Sequence, residues 1–234
     1  MRSLDKRASG AITNLDPKSP VAEAYRMLRS NIQFAGIDRE LKTLLITSAG
    51  PEEGKSTTLH NLGVVMAQSG KKTIIVGCDM RKPTLHRICG GHNRVGITTV
   101  LLGEMSVDEA IQKTDVPGLS LLNSGPVPPN PSELVGSAGM EHLLDELKGR
   151  ADIVLVDSPP VIAVADAVIL AAKVDGVILV VNAGHTQYQA AKDAKAALDN
   201  AKANVIGAVL NNVQVSKGNY YYYYYYYDQT EEQA

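Results

Sequence analysis

Six short runs of apolar, mostly β-branched or leucine residues recur along the chain, at 43–48, 72–77, 119–123, 152–157, 176–181 and 204–211. Each is continuous rather than alternating, the pattern of a strand covered by helices on both faces. Helical periodicity fills the intervals, at 55–69, 139–148, 163–173 and 186–202, with a mixed helical region at 84–113. A further helix is expected from Ser19-Pro20 to about Phe34, because a capping serine followed by proline at the first helical position is a start signal. Gly70 stops the second helix, and Ser106-Val107-Asp108-Glu109 has the spacing of a capping box. Regular alternation of buried strand and helix predicts an α/β fold, a mostly parallel β-sheet flanked by helices. The pattern leaves the order of the strands open.

Composition limits what else the chain can be. Its 234 residues suit one domain with a sizeable core. There is no Trp, a single Phe, and eight of the ten tyrosines form the run Tyr220 to Tyr227. The core must therefore be built from Leu, Ile, Val and Ala. Domain limits follow: a globular domain at 1–215, whose first 18 residues form a loosely ordered lead-in, then a flexible tyrosine-rich tail at 216–234. Cys78 and Cys89 are spaced for neither a redox pair nor a zinc site and read as free thiols. A net charge of −2 argues against broad nucleic-acid binding. The N-terminus lacks a signal-peptide core, and the longest apolar stretch, 161–172, is too short to span a bilayer and is broken by Asp166. A cytosolic protein with no direct membrane insertion is expected, reaching a membrane only through a partner.

Chemistry concentrates at three strand ends. The segment SAGPEEGKSTT, 48–58, lies between a strand and a helix, where a phosphate-binding loop belongs. Its G-x-x-x-x-G-K-[ST] frame runs from Ala49 to Ser56 with alanine in the first glycine position. Backbone N–H groups over Gly50, Pro51, Glu52, Glu53, Gly54, Lys55, Ser56 and Thr57, proline excepted, can face phosphate oxygens. Lys55 can reach the β- and γ-phosphates of ATP, and Ser56 can ligate Mg²⁺. Lys55 is expected to act at a loop rather than in the core, so its loss should leave stability unchanged. The apolar strand of IVLVDSPP, 153–160, ends in Asp157, a carboxylate placed to hold the metal. In IIVGCDMRKP, 74–83, Asp79 follows another apolar strand, with Arg81 and Lys82 beside it. Asp79 is thus a second candidate for metal and proton handling on the ligand-binding edge.

With these motifs the chain resembles the bacterial tyrosine kinases of capsule and exopolysaccharide synthesis, in the Gram-positive form whose cytosolic kinase is a separate polypeptide. The resemblance runs from about residue 17 to the end. It includes the P-loop, a D-x-D-x-R motif, the strand ending in Asp157, the PPNPSEL loop at 128–134, an E-x-x-R-x-x-R helix (Glu23, Arg26, Arg29) and the tail. It implies a P-loop NTPase-like fold with catalytic Lys55, Asp79, Asp157 and Arg81, and Mg²⁺ on Ser56, Asp79 and Asp157. It further implies an adenine contact from Asn211 and phosphoacceptors Tyr220, Tyr221, Tyr222, Tyr223, Tyr224, Tyr225, Tyr226 and Tyr227. Glu23, Arg26 and Arg29, otherwise a solvated helical face, would join subunits in a ring-like homo-oligomer. The implied partners are a membrane-embedded activator with a cytosolic tail and a cognate tyrosine phosphatase, placing the kinase at the inner face of the membrane. One departure stands out: Gly77 occupies the position of the motif's first aspartate, which the family uses for metal binding and for deprotonating tyrosine.

Three functions compete on these residues. An autophosphorylating tyrosine kinase, acting mainly in trans, is favoured because the chain carries both an ATP loop and a cluster of phenols. A nucleotide-switched ATPase of the ParA/MinD type would carry a signature lysine where Gly50 stands. A scaffold that binds ATP with little kinase activity is kept open by Gly77.

Overall fold

The computed structural model describes residues 16–37 and 39–214. Seven strands form one sheet: β1 (Thr43–Ser48), β2 (Thr73–Gly77), β3 (Gln112–Lys113), β4 (Leu119–Leu122), β5 (Ile153–Asp157), β6 (Gly176–Asn182) and β7 (Val205–Asn211). Their order is β3-β4-β2-β5-β1-β6-β7, parallel throughout except for the antiparallel β3–β4 pair. The expected strands are all present. β3 was hidden in the mixed helical region, because a two-residue strand is defined by its backbone bonds to β4 and carries no side-chain period of its own.

The helices are α1 (Pro20–Ala35), α2 (Lys55–Gln68), α3 (Leu85–Ile88), α4 (Ile97–Leu101), α5 (Val107–Ala110), α6 (Pro131–Gly136), α7 (Ala138–Arg150), α8 (Asp166–Ala171) and α9 (Tyr188–Asn200). Local signals set their starts. Ser19 Oγ accepts from Ala22 N at 3.2 Å, ahead of Pro20, and Ser106 with Glu109 closes the capping box. The proline-rich segment hides α6, which begins on Pro131 at a position where a missing N–H costs nothing. Ser137 then caps α7 by accepting from Met140 N at 3.2 Å.

Side chains of the unbroken apolar runs divide between the two faces of the sheet. Leu45, Val76, Val154, Val156 and Val177 meet Met140, Leu143 and Leu147 of α7, Leu170 of α8 and Leu198 of α9. Leu44, Ile46, Ile75, Leu155 and Ile178 meet Leu59, Leu62, Val65 and Met66 of α2 and Ile32 of α1. A residue-by-residue alternation thus lies inside a sequence that shows none. β7 departs from the expectation of a doubly covered strand. It is the sheet's edge, its residues are half-buried or exposed, and Leu210 is 60% exposed. Among the described residues no helix is long and apolar enough to cross a membrane.

Close approach of α2 to the sheet depends on Gly63, where a Cβ would lie 2.7 Å from Ile75 Cδ1 and 3.3 Å from Leu119 Cδ1. Overpacking costs about 1–3 kcal/mol, more than the ~1 kcal/mol gained in helix propensity. Gly63→Ala should therefore lower the urea midpoint, and adding Ile75→Val, which removes the obstructing methyl, should recover part of the loss. A raised midpoint for the single variant would contradict this packing.

Candidate active site

The C-terminal ends of β1, β5 and β2 lie side by side, with Ile46 opposite Asp157 and Asp157 opposite Gly77. β1 leads into the loop that enters α2 at Lys55. Gly54 makes that entry at φ +91°, and a Cβ there would lie 2.1 Å from Asn211 Nδ2. Both the dihedral and the space demand glycine. Asn211, at the end of β7, donates to the Glu53 carbonyl at 3.0 Å, which places it against the loop. The Glu53 carboxylate turns inward, 4% exposed, and accepts from Ala49 N at 3.2 Å and Gly50 N at 3.1 Å. Ser48 Oγ closes the turn by donating to Gly50 O at 2.7 Å. Pro51 and Glu52 form the exposed outer turn, Glu52 at φ +61°. The start of α2 has no side-chain cap and no acid in its first turn. Its N–H groups and positive dipole end can receive an anion.

Below this helix start, four side chains converge. Lys55 Nζ lies 3.1 Å from Ser56 Oγ, 3.4 Å from Asp79 Oδ2 and 3.6 Å from Asp157 Oδ1. Ser56 Oγ is 3.1 Å from both Asp157 oxygens. Asp79 is fixed in turn, its Oδ1 accepting from Lys82 N at 3.0 Å. Asp157 is 1% exposed. Burial pushes its carboxyl up to about 6, against the opposing pull of Lys55. Two carboxylates and a hydroxyl are hard oxygen donors. Among the described residues no group of three or more His, Cys, Asp or Glu side chains is arranged to hold a metal. The donor set fits Mg²⁺, which binds through one or two carboxylates and completes its shell with phosphate and water, rather than a fully caged ion.

The other expected residues are distributed differently. Arg81 is not in the cluster. Its guanidinium forms a paired contact with Asp166, Nε–Oδ2 2.8 Å and Nη2–Oδ1 3.1 Å, and donates to Ser132 Oγ at 2.8 Å. Ser132 Oγ donates to Asp166 Oδ1 at 2.5 Å. The residues that sequence reasoning missed are therefore Asp166, Ser132 and the inward-turned Glu53 side chain. The signal for Asp166 was present: a lone acid inside an apolar stretch needs a buried partner. Gly77 has little room for the family's aspartate, since a Cβ would lie 3.2 Å from Ser124 N. Glu23 and Arg26 pair with each other at 2.8 Å, and Arg29 Nη1 donates to Val65 O at 3.0 Å while its Nε is buried without a described partner. Burial raises both thiols, with Asp157 adding to the effect, Cys89 to about 12, consistent with unreactive cysteines. Tyr220 to Tyr227 lie outside the described residues.

Lys55 does more than the sequence suggests. It is the cation between two buried carboxylates, and removing one partner of such a group is strongly destabilising. Stability should therefore fall in Lys55→Met, a correction to the expectation from the loop alone. Asp157→Asn should have the opposite effect in nucleotide-free protein. A carboxyl whose pKa is raised on folding, here from 3.8 to about 6, favours unfolding once it ionises, so the cost grows above pH 4 and is complete above pH 6. The variant should be more stable than wild type by about 1–3 kcal/mol at pH 7.5, with the gap closing toward pH 4 in urea titrations. Glu53→Ala releases the two loop N–H groups and should weaken binding of a fluorescent ATP analogue by about tenfold, at ~1.4 kcal/mol per decade. Glu53→Gln, which keeps one acceptor oxygen, should fall between.

Comparison with known proteins agrees with this geometry. The AAA domain family profile matches residues 49–206. The tyrosine-protein kinase YwqD of Bacillus subtilis is 46% identical over 88% of this chain and 87% of its own length. The putative tyrosine-protein kinase CapB of Staphylococcus aureus is 40% identical over 86% and 88%. The crystal structure of the chimerical protein CapA2B2 superimposes with a TM-score of 0.85 at 40% identity, covering 88% of this chain and 90% of that one. At this identity and coverage, and with a P-loop, Asp79 and Asp157 meeting at one sheet edge, the chain belongs to the bacterial tyrosine-protein kinases.

Proposed function

We propose that the chain is an ATP- and Mg²⁺-dependent protein-tyrosine autokinase that phosphorylates its own tail, Tyr220 to Tyr227, mainly in trans, and so regulates polysaccharide synthesis or export. The observation that carries this reading is the convergence of Lys55, Ser56, Asp79 and Asp157 beneath the uncapped start of α2. In this assignment the loop from Gly50 to Thr57 surrounds the phosphates. Its amides after Pro51, together with Lys55, hold them while Gly50 N stays on Glu53, and Asn211 lies beside the loop on the side assigned to adenine. Ser56, Asp157 and Asp79 are the ligands assigned to Mg²⁺, which when bound neutralises charge developing on the transferred phosphoryl group. A tail phenol attacks the γ-phosphorus, the bond to the β-bridging oxygen breaks, and ADP leaves. Asp79, or water beside it, takes the phenolic proton. With Gly77 in the place of the family aspartate, no second carboxylate stands at that position to share this role. Arg81 acts at one remove, holding the loop that carries Asp79 through Asp166 and Ser132.

The remaining assignments follow from the family. Glu23, Arg26 and Arg29 are proposed to join copies in a ring, where the buried, unpartnered Arg29 Nε would find an acceptor. A membrane-embedded activator would bring the kinase to the inner face of the membrane, and a tyrosine phosphatase would reverse the modification. The domain is taken to end at 215, where the tail begins.

Incubation of the full chain with Mg-ATP, followed by intact mass measurement, tests the reading. Wild type should gain successive phosphate increments confined to the tail. Lys55→Met should gain none while still unfolding cooperatively. ADP production without increments would indicate an ATPase, and nucleotide binding with neither would indicate a scaffold.

A further inference from the structure

Beyond Asp79 the chain runs from Met80 to Gly103 without a single Asp or Glu, yet carries Arg81, Lys82, Arg87 and Arg94. Arg81 is occupied by Asp166. Lys82, Arg87 and Arg94 are exposed, and none forms an ion pair with a described residue. The half-buried Arg26, Lys148, Arg150 and Lys173 and the exposed Lys195 each have a carboxylate partner, which these three lack. Four acids of this sheet edge are already engaged: Asp79 and Asp157 on Lys55, Asp166 on Arg81, and Glu133 with Asn130.

The fold fixes where this basic segment sits. Asn123 Nδ2 donates to His92 O at 2.9 Å, Asn93 Nδ2 donates to Gly125 O at 2.7 Å, and Gly125 N donates back to Asn93 Oδ1 at 3.0 Å. The segment is thereby pinned from the end of β2 to the end of β4. Along this edge the order is β1, β5, β2, β4, so the P-loop, Asp157, Asp79 and the basic segment follow one another at about 4.8 Å per strand. The ends of β2 and β4, between which the segment is held, thus lie one and two strand-widths from the end of β5 that carries Asp157, a span of about two or three residues of extended chain.

The chain's own tail matches this spacing and charge. After Lys217 it contains no Lys or Arg, and the tyrosine run is followed directly by Asp228, Glu231 and Glu232. We propose that the exposed basic segment at Lys82, Arg87 and Arg94 is a docking surface for the acidic end of the tail of a second copy of this chain, holding Asp228 to Glu232 so that the adjoining tyrosines lie over the Lys55–Asp79 centre. The proposal rests on the kinase reading and adds to it a substrate-recognition surface outside the nucleotide site. Complementary charge at such a rim acts mainly on encounter and register, and weakens with salt.

The test uses full-length protein and a fluorescent peptide of residues 219–234, followed by anisotropy. Wild type should bind the peptide, more weakly as salt rises. Arg87→Glu/Arg94→Glu should bind it about tenfold more weakly, the sum of a few exposed pair energies. A peptide carrying Asp228→Lys, Glu231→Lys and Glu232→Lys should reverse the preference, binding the charge-reversed protein better than wild type. Equal affinity of both proteins for the native peptide, or no reversal by the lysine peptide, would overturn the docking surface. So would a segment that binds anionic-lipid vesicles but not the peptide. A fluorescent ATP analogue serves as the control. Unchanged nucleotide binding in the variant shows an intact fold, and if it is lost the Arg87→Gln/Arg94→Gln pair takes its place. Nucleotide binding without peptide binding defeats this inference alone, whereas wild type that fails to bind nucleotide defeats the kinase reading.

Discussion

The Lys55 ammonium, held between Asp79 and Asp157, is the interaction on which the site depends. The three residues arrive from three different strands: Lys55 after β1, Asp157 at the end of β5, Asp79 after β2. Burying two carboxylates this closely is unfavourable without a cation. Desolvation is visible in the raised pKa of Asp157. The lysine offsets that repulsion in the nucleotide-free protein, and a divalent ion is a stronger neutraliser of the same oxygens. A phosphate-bound Mg²⁺ at Asp79 and Asp157 would supply the same neutralisation and leave the Lys55 ammonium free to pair with the phosphates.

Such a cluster needs a loop that does not collapse into it. That work falls to Glu53 and Asn211. The Glu53 carboxylate satisfies the N–H groups of Ala49 and Gly50, its carbonyl accepts from Asn211, and Gly54 leaves the space that Asn211 fills. The first half of the loop is therefore held by an internal anion. The N–H groups at the start of α2, which no side chain caps, remain for an external one. Alanine in the first glycine position of the motif is tolerated because its φ is not positive, whereas Gly54 sits at φ +91°.

Much of this was legible in the sequence. Strand 43–48 and the helix from Lys55 sit where their residues place them, because an apolar run and a phosphate loop are local signals. Convergence of Asp79 and Asp157 with Lys55 followed from parallel strands sharing one C-terminal edge. Strand order did not follow, since an unbroken apolar run records burial on both faces and says nothing of its neighbours. Arg81 shows the same limit at the level of a side chain. Its place in a motif suggested chemistry, while its partner Asp166 lies 85 residues away, beyond any local pattern. The exposure of β7 was also out of reach, because edge and interior strands of a parallel sheet share a composition and differ only in what covers them.

Gly77 joins these threads. It stands opposite Asp157 in the sheet register, so an aspartate there would put a third carboxylate beside two that already share one lysine. The backbone of Ser124, 3.2 Å from where its Cβ would be, leaves that side chain little freedom to turn away. Lys55 alone would then face three charges in a buried site, and the nucleotide-free protein would lose stability that only a bound metal could restore. Glycine removes that repulsion, and in the proposed reaction proton acceptance falls to Asp79, which is anchored by Lys82 N and already in contact with the lysine. The proposed docking of the acceptor tail on the basic segment would compensate for a site with one carboxylate fewer. Where less can be gained from a second base, more must come from keeping the phenol in place, and positioning is the larger share of catalysis in phosphoryl transfer.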